Sequence, residues 1–361
     1  MEVLNEEYTQ GEENVMKREV IFLNRKIIFT YIILGINILL FIAMSISGGS
    51  TNTNTLIRFG GKFAPLIWGG QWWRLITSIF LHIGIAHLAF NSYALYSIGR
   101  VSESLYGSGK FLFIYLFAGL WGSIASTMWG FEHISAGASG AIFGLAGSLL
   151  YFGLRTPRVL SGRFGTNLIV IILFNICYGF IDSRTDNYAH LGGLLGGFIA
   201  AALLGLLWER ISDKRFVGIL IFLLITLGSA YFIVVPPEGS WQSLYIKGEK
   251  AIDSEQYSHA IEYLMDADEL SPRNPLIRRS LGIARFNLAG ELFNAGEYSE
   301  AIVQYKECRS LILSEPAIEY NMGLAYIRLN QINEGLAAMR RALLIDPNFT
   351  PAKDVLRLYN Q

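Results

Sequence analysis

Long apolar stretches recur through the first two thirds of the chain, near 27–47, 85–99, 111–129, 139–154, 167–181, 188–208 and 216–236. A helix needs ~20 apolar residues to cross a bilayer, so these read as seven candidate membrane spans. Several are short. As a helix, the stretch from Ser139 to Leu154 reaches only ~24 Å at about 1.5 Å per residue. A bundle must then hold one end of it below the membrane surface, where irregular backbone is tolerated only if protein or a watery cavity surrounds it. The first 25 residues are polar and acidic, and no small-residue cleavage site follows the first apolar run, so that run is expected to stay in the mature chain.

From about Trp241 the pattern changes to charged, helical sequence, and a repeat of about 34 residues per copy emerges. Gly248, Ala260, Leu264, Ala267 and Pro272 have the same internal offsets as Gly323, Gly335, Met339, Ala342 and Pro347, with Ala289, Ala301, Tyr305 and Cys308 as a looser middle copy that follows an insertion and lacks the proline. The pattern resembles the tetratricopeptide repeat. In such arrays each helix pair buries its apolar face by stacking on its neighbours, and the concave surface holds peptides or partner helices, or serves only as a spacer.

Composition agrees with the spans: of 361 residues 52% are hydrophobic and 16% charged, with mean hydropathy +0.38, too apolar for a soluble protein of this length. The formal net charge of +0 gives no reason to expect nucleic acid as a partner. Cys177 sits in an apolar run and Cys308 in the polar C-terminal part, so no disulfide framework is implied. Basic residues are asymmetric. Lys17, Arg18, Arg25, Lys26, Arg100, Lys110, Arg155, Arg158, Arg163, Arg210, Lys214 and Arg215 fall on one side of the membrane, against Arg58, Lys62, Arg74 and Arg184 on the other. The richer side is expected to be cytoplasmic, which puts the N-terminus inside and, after seven crossings, the repeats outside.

Three places are polar or glycine-rich where lipid would favour leucine: Gly137–Gly140 at the head of the fourth span, Ala189 and His190 with Gly193 and Gly197 at the head of the sixth, and His82, His87 and Asn91 at the head of the second. All three spans enter from the same face, so these groups are expected to meet at one depth. Gly140 with Gly144, and Gly193 with Gly197, put small residues four apart on one stripe, where helix backbones approach closely. A serine hydroxyl is a poor nucleophile until a base takes its proton, and a neutral histidine in reach of Ser139 does this. The Ser139 amide, with His87 and Asn91 one turn apart, is placed to donate to a developing oxyanion, and Phe143, one turn below Ser139, to pack on the His190 ring. Each feature alone has a plainer meaning. Small-residue stripes pack membrane helices, a lone serine bonds back to its own helix, and His133 and His259 have no companions. Intramembrane histidines, however, default to function.

Taken together, Trp73 and Arg74, then His82, His87 and Asn91, the Glu103–Lys110 segment reading E-S-L-Y-G-S-G-K, Gly137-x-Ser139-Gly140 and Ala189-His190-x-x-Gly193-x-x-x-Gly197 resemble the rhomboid intramembrane serine proteases over about 27–208. The resemblance implies an all-α polytopic bundle with a six-helix core, Ser139 as nucleophile and His190 as general base, with no third acid residue and no cofactor or metal. It further implies that His87 and Asn91 line an oxyanion hole with the Ser139 amide, that Trp73 and Arg74 belong to a long first loop lying partly in the outer leaflet, that the fifth helix and the loop before His190 gate substrate entry, and that Glu103 hydrogen-bonds structurally near the cytoplasmic side. The seventh span and outer repeats resemble a Gram-positive bacterial subgroup that carries tetratricopeptide repeats. The expected organisation is a cytoplasmic segment at 1–25, the protease core at 26–209, the seventh span at 210–237 and an extracytoplasmic tetratricopeptide-repeat α-solenoid at 238–361.

The expected substrates are transmembrane proteins in the lipid bilayer. A helix hides its carbonyls in its own hydrogen bonds, so segments weakened by glycine or proline near the outer boundary are the preferred targets. The repeats are expected to recruit a substrate, or a protein or peptide partner. Three rivals are disfavoured. A zinc protease would need His-Glu-x-x-His, and no histidine here precedes a glutamate. A transporter would spread polar residues or broken helices deep in several spans, and a catalytically dead scaffold would not retain the whole set.

Overall fold

The computed structural model describes residues 26–157, 185–207, 209–312 and 315–359, with residues 166, 169–170 and 172–173 between them. The candidate fifth span, and with it the expected gate, lies largely outside the described residues. The described elements are helical, apart from one two-residue antiparallel bridge, and divide into two compact units, Met1–Val235 and Pro236–Gln361.

In the first unit α1 (Phe29–Ile46) is followed by a long loop with short helical turns at Thr53–Phe59, Ala64–Trp68 and Arg74–Thr77. Then come α2 (Ile85–Ala94), which runs through a π-helical turn at Leu95–Gly99 into α3 (Arg100–Tyr106), and α4 (Ser108–Trp129), α5 (Ser139–Arg155), α6 (Asn187–Leu204) and α7 (Asp213–Val234). By length and composition α1, α4, α6 and α7 can each cross a membrane, and the α2–α3 helix joins Arg74–Phe80 across an 89° bend as a further candidate. The chain is a multi-pass membrane protein. At 17 residues α5 is the short span that the sequence anticipates.

Glycine sets the centre of this bundle. A Cβ on Gly144 would meet the Gly193 carbonyl oxygen at 2.9 Å, and one on Gly193 would overlap the Gly140 carbonyl outright. The stripes on α5 and α6 therefore touch backbone to backbone. Gly122 of α4 adds a third approach, its Cβ position lying 2.7 Å from the Ala189 carbonyl oxygen. Across from these, α7 stacks Phe222 on Trp121 of α4 with centroids 5.5 Å apart, and Trp121 Nε1 donates to Thr226 Oγ1 at 2.9 Å.

Polar groups close the opposite helix ends. The buried Glu103 carboxylate accepts from the amides of Ile28, Phe29 and Thr30 at 2.9, 3.0 and 2.9 Å, and from the Thr30 and Ser108 hydroxyls at 2.8 and 2.7 Å. A side chain from α3 thereby supplies α1 with the N-terminal cap it lacks in its own sequence. Lys110 Nζ donates to the carbonyls of Leu204, Gly205 and Leu206 at 2.8, 3.0 and 2.8 Å, satisfying the C-terminus of α6 where the helix dipole favours a cation.

The second unit stacks α8 (Trp241–Asp253), α9 (Tyr257–Leu270), α10 (Pro275–Ala295), α11 (Tyr298–Leu311), α12 (Pro316–Arg328), α13 (Ile332–Ile345) and α14 (Thr350–Tyr359). Within the first and third pairs a glycine admits the partner helix: Gly248 faces Leu264, and Gly323 faces Met339. The three turns inside the pairs share a left-handed residue, Glu255 at φ 59°, Gly296 at φ 87° and Asn330 at φ 59°. The looser middle copy thus keeps the same turn as its neighbours, and its insertion is absorbed by lengthening α10 to 21 residues. A hollow of about 270 Å³ in this unit is lined by Phe293, Asn294, Tyr305, Asn321 and Leu324.

Candidate active site

Ser139 begins α5, half-buried, at the end of a segment stitched to the long first loop. Lys62 and Ser135 exchange backbone hydrogen bonds of 2.9 Å each, and the Gly137 amide donates to the Ser78 carbonyl at 3.0 Å. The loop itself is braced by Arg74, buried, whose guanidinium donates to Gln71 Oε1 at 2.8 Å and to the carbonyls of Ile57 and Gly61 at 2.8 and 2.9 Å. Its neighbour Trp73 stays exposed, edge-on to Trp72. Arg74 and Trp73 therefore shape the loop that leads to Ser139, and neither joins the serine.

His190 lies in the first turn of α6 and is 6% exposed. Its ring lies on Phe143 of α5, centroids 4.2 Å and planes 11° apart. The turn before it presses into α5, since a Cβ on Gly140 would sit 3.1 Å from the Ala189 carbonyl oxygen. These contacts bring the first turns of α5 and α6, and so Ser139 and His190, to the same end of the bundle. Gly197 is lodged against Gly144 two turns further on. His190 Nδ1 has no hydrogen-bond partner among the described residues.

His87 and Asn91 stand one turn apart on α2, with Asn91 Nδ2 donating to the His87 carbonyl at 3.1 Å. A Cβ on Gly137 would lie 3.0 Å from His87 Nε2 and 3.6 Å from Ser139 Oγ, so the two side chains border one small space that only glycine at 137 leaves open. His82 is fully buried, its ring 5.4 Å from that of His87. Glu103 is not part of this cluster; its partners are the start of α1 and Ser108.

Ser139 itself lines a cavity of about 30 Å³, half apolar through Ile79, Ala136 and Ala141 and half polar through Lys62, Ser78, Ser123, Ser126 and Ser135, large enough for a water molecule with polar partners. Lys62, counted from the sequence as a charge on the outer face, is 1% exposed, its ammonium donating to the Gly130 and Ser126 carbonyls at 2.9 and 3.4 Å. Burial lowers this group to about 8, against the pull of the Asp186 carboxylate, which raises it. Asp186 heads α6: Oδ1 accepts from the Ala189 amide at 3.0 Å, and Oδ2 takes the Ser126 hydroxyl of α4. In the sequence Lys62 reads only as an outer-face charge, and Ser126, Asp186 and Gly122 are not among the expected site residues. Only Asp186 carries a local signal, an aspartate at an N-cap position ahead of the Ala189-His190 pair.

The Rhomboid domain family matches residues 69–207, and a Tetratricopeptide repeat family matches residues 320–349. Among relatives, Rhomboid protease GluP of Bacillus subtilis (strain 168) is 39% identical over 319 residues, covering 88% of this chain and 61% of its own length. Putative rhomboid protease YdcA of the same organism is 37% identical over 135 residues, covering 37% of this chain and 68% of that protein. Rhomboid protease AarA of Providencia stuartii is 31% identical over 199 residues, covering 48% of this chain and 70% of that protein.

Proposed function

We propose that this chain, which belongs to the rhomboid family, is an intramembrane serine endopeptidase that hydrolyses peptide bonds in or near the transmembrane segments of other proteins. Ser139 Oγ attacks the scissile carbonyl while His190 takes its proton, and the histidine then returns the proton to the leaving amine. The developing oxyanion is met by the Ser139 amide with His87 and Asn91, around the space that Gly137 leaves open. The observation that carries this reading is the seating of His190 on Phe143, with Ala189 packed against Gly140, which holds the base over the first turn of the serine's helix. Apo geometry of such pairs is loose and tightens in the substrate complex. The water-sized cavity that Ser139 lines supports the reading too, since deacylation needs water where lipid excludes it.

The charge asymmetry supports an N-terminus in the cytoplasm and repeats outside. The hollow lined by Phe293, Tyr305 and Leu324 supports recruitment of a substrate or partner segment by the repeats.

The test is cleavage of a tagged single-span substrate in proteoliposomes by the intact protein, Ser139→Ala and His190→Ala. Product from the intact protein alone is expected. Equal cleavage by Ser139→Ala, or none by the intact protein across several model segments, would sink the dyad and leave a scaffold whose repeats do the work.

A further inference from the structure

Three of the contacts that hold the first turn of α6 are of two kinds. Ala189 against Gly140 and His190 against Phe143 are packing contacts; they limit how near the helices come but permit sliding and rotation of one past the other. The third is directional. Asp186, four residues before His190, spends Oδ1 on the Ala189 amide and Oδ2 on the Ser126 hydroxyl, tying that turn to α4, while its own carbonyl accepts from the His190 amide at 3.1 Å. Lys62 of the first loop faces it as counter-charge and bonds the carbonyl of the same Ser126.

We propose that Asp186, bracketed to Ser126, is the positioning residue that sets the rotation of α6 and so the aim of the His190 imidazole at Ser139; this rests on the dyad reading above. His190 Nδ1 has no hydrogen-bond partner among the described residues, and the bonds Asp186 makes go to the Ala189 amide and the Ser126 hydroxyl, so Asp186 acts through the backbone of its helix and not as a third member bonded to the imidazole. A helix start that loses its cap leaves amide donors unpaired and frays over the very turn that carries the base. A base displaced by about 1 Å costs on the order of 10²-fold in rate.

The experiment compares Asp186→Ala, Asp186→Asn and Ser126→Ala with the intact protein in proteoliposomes, by cleavage kinetics and by amide hydrogen exchange over residues 187–190. Asp186→Ala is expected to lower kcat by about 10- to 100-fold with KM within about twofold, and to speed exchange over that turn. Asparagine caps as well as aspartate, so Asp186→Asn is expected to restore kcat to within about threefold and exchange to the intact level. Ser126→Ala is expected to fall between, and it carries the test if Asp186→Ala fails to reach the membrane. Unchanged kcat in Asp186→Ala or Ser126→Ala, a loss confined to KM, or an Asp186→Asn as damaged as Asp186→Ala overturns the proposal. If the intact protein does not cut at all, the dyad reading falls, and the exchange comparison still decides whether Asp186 holds the turn.

Discussion

The ring of Phe143 lies flat on the imidazole of His190, centroids 4.2 Å and planes 11° apart, joining α5 to α6 one turn from the serine. Stacked ring pairs contribute about 0.5–1.5 kcal/mol beyond the area they bury. Phe143→Ala is therefore expected to lower kcat by about tenfold, with Phe143→Tyr close to the intact protein. The check is single-span substrate cleavage at saturating substrate.

Gly137 leaves open the space between His87 Nε2 and Ser139 Oγ. A methyl group there sits 2.8 Å from His87 Cε1 and must displace the ring. Gly137→Ala is expected to cost about 10²-fold in kcat, the scale of losing an oxyanion donor, while the thermal unfolding of the protein in detergent stays near that of the intact chain. A variant that cuts normally would exclude His87 from the hole.

Glu103 accepts five hydrogen bonds from the start of α1 and from Ser108 while only 1% exposed. Its removal leaves buried donors unmet, at about 1–3 kcal/mol each before relaxation. Glu103→Ala is expected to destabilise the membrane unit by about 3 kcal/mol or more, and Glu103→Gln by less. Unfolding in mixed micelles measures both, and equal stability of all three forms would remove Glu103 from the architecture.

Gly193→Val is expected to abolish the folded membrane unit, because any Cβ there overlaps the Gly140 backbone, which cannot rotate away as a side chain would. Protease protection of the bundle in membranes reads the outcome.

Cys308 is fully buried in the repeat unit, and burial pushes its thiol up to about 11, with Glu315 adding to the rise and Arg285 opposing it. The thiolate is the reactive form. In a Cys177→Ser background, alkylation at pH 8 is expected to be slow until denaturant unfolds the repeats. Since the folded state holds the neutral thiol, the unit also loses stability as pH rises from the ordinary thiol range through 11. Fast labelling of the native protein would contradict the packing around Cys308.

The spans, the repeat and the dyad candidates were legible in the chain because each is written in a local signal. A bilayer demands a run of apolar residues, a stacked helix pair repeats its small residues at a fixed interval, and a serine or histidine beside glycine stands out within such a run. The contact between the Gly140–Gly144 and Gly193–Gly197 stripes was legible for the same reason, as two sets of small residues at equal spacing, whereas the approach of Gly122 and Gly192 across the α4–α6 contact was not. Glu103 was visible only as part of a motif, and its task of capping α1, more than seventy residues upstream, was not.

The sequence by itself determined which segments enter the membrane and which residue types stand at their ends, because lipid penalises every polar group without a purpose and so makes each one conspicuous. The tertiary structure decided what holds those ends in place. Ser126 and Asp186 are sixty positions apart, and Lys62 looks like any loop lysine until the fold closes over it. Such contacts depend on how helices are rotated against one another, and that rotation is set by packing summed over the whole bundle, which no short stretch of chain encodes.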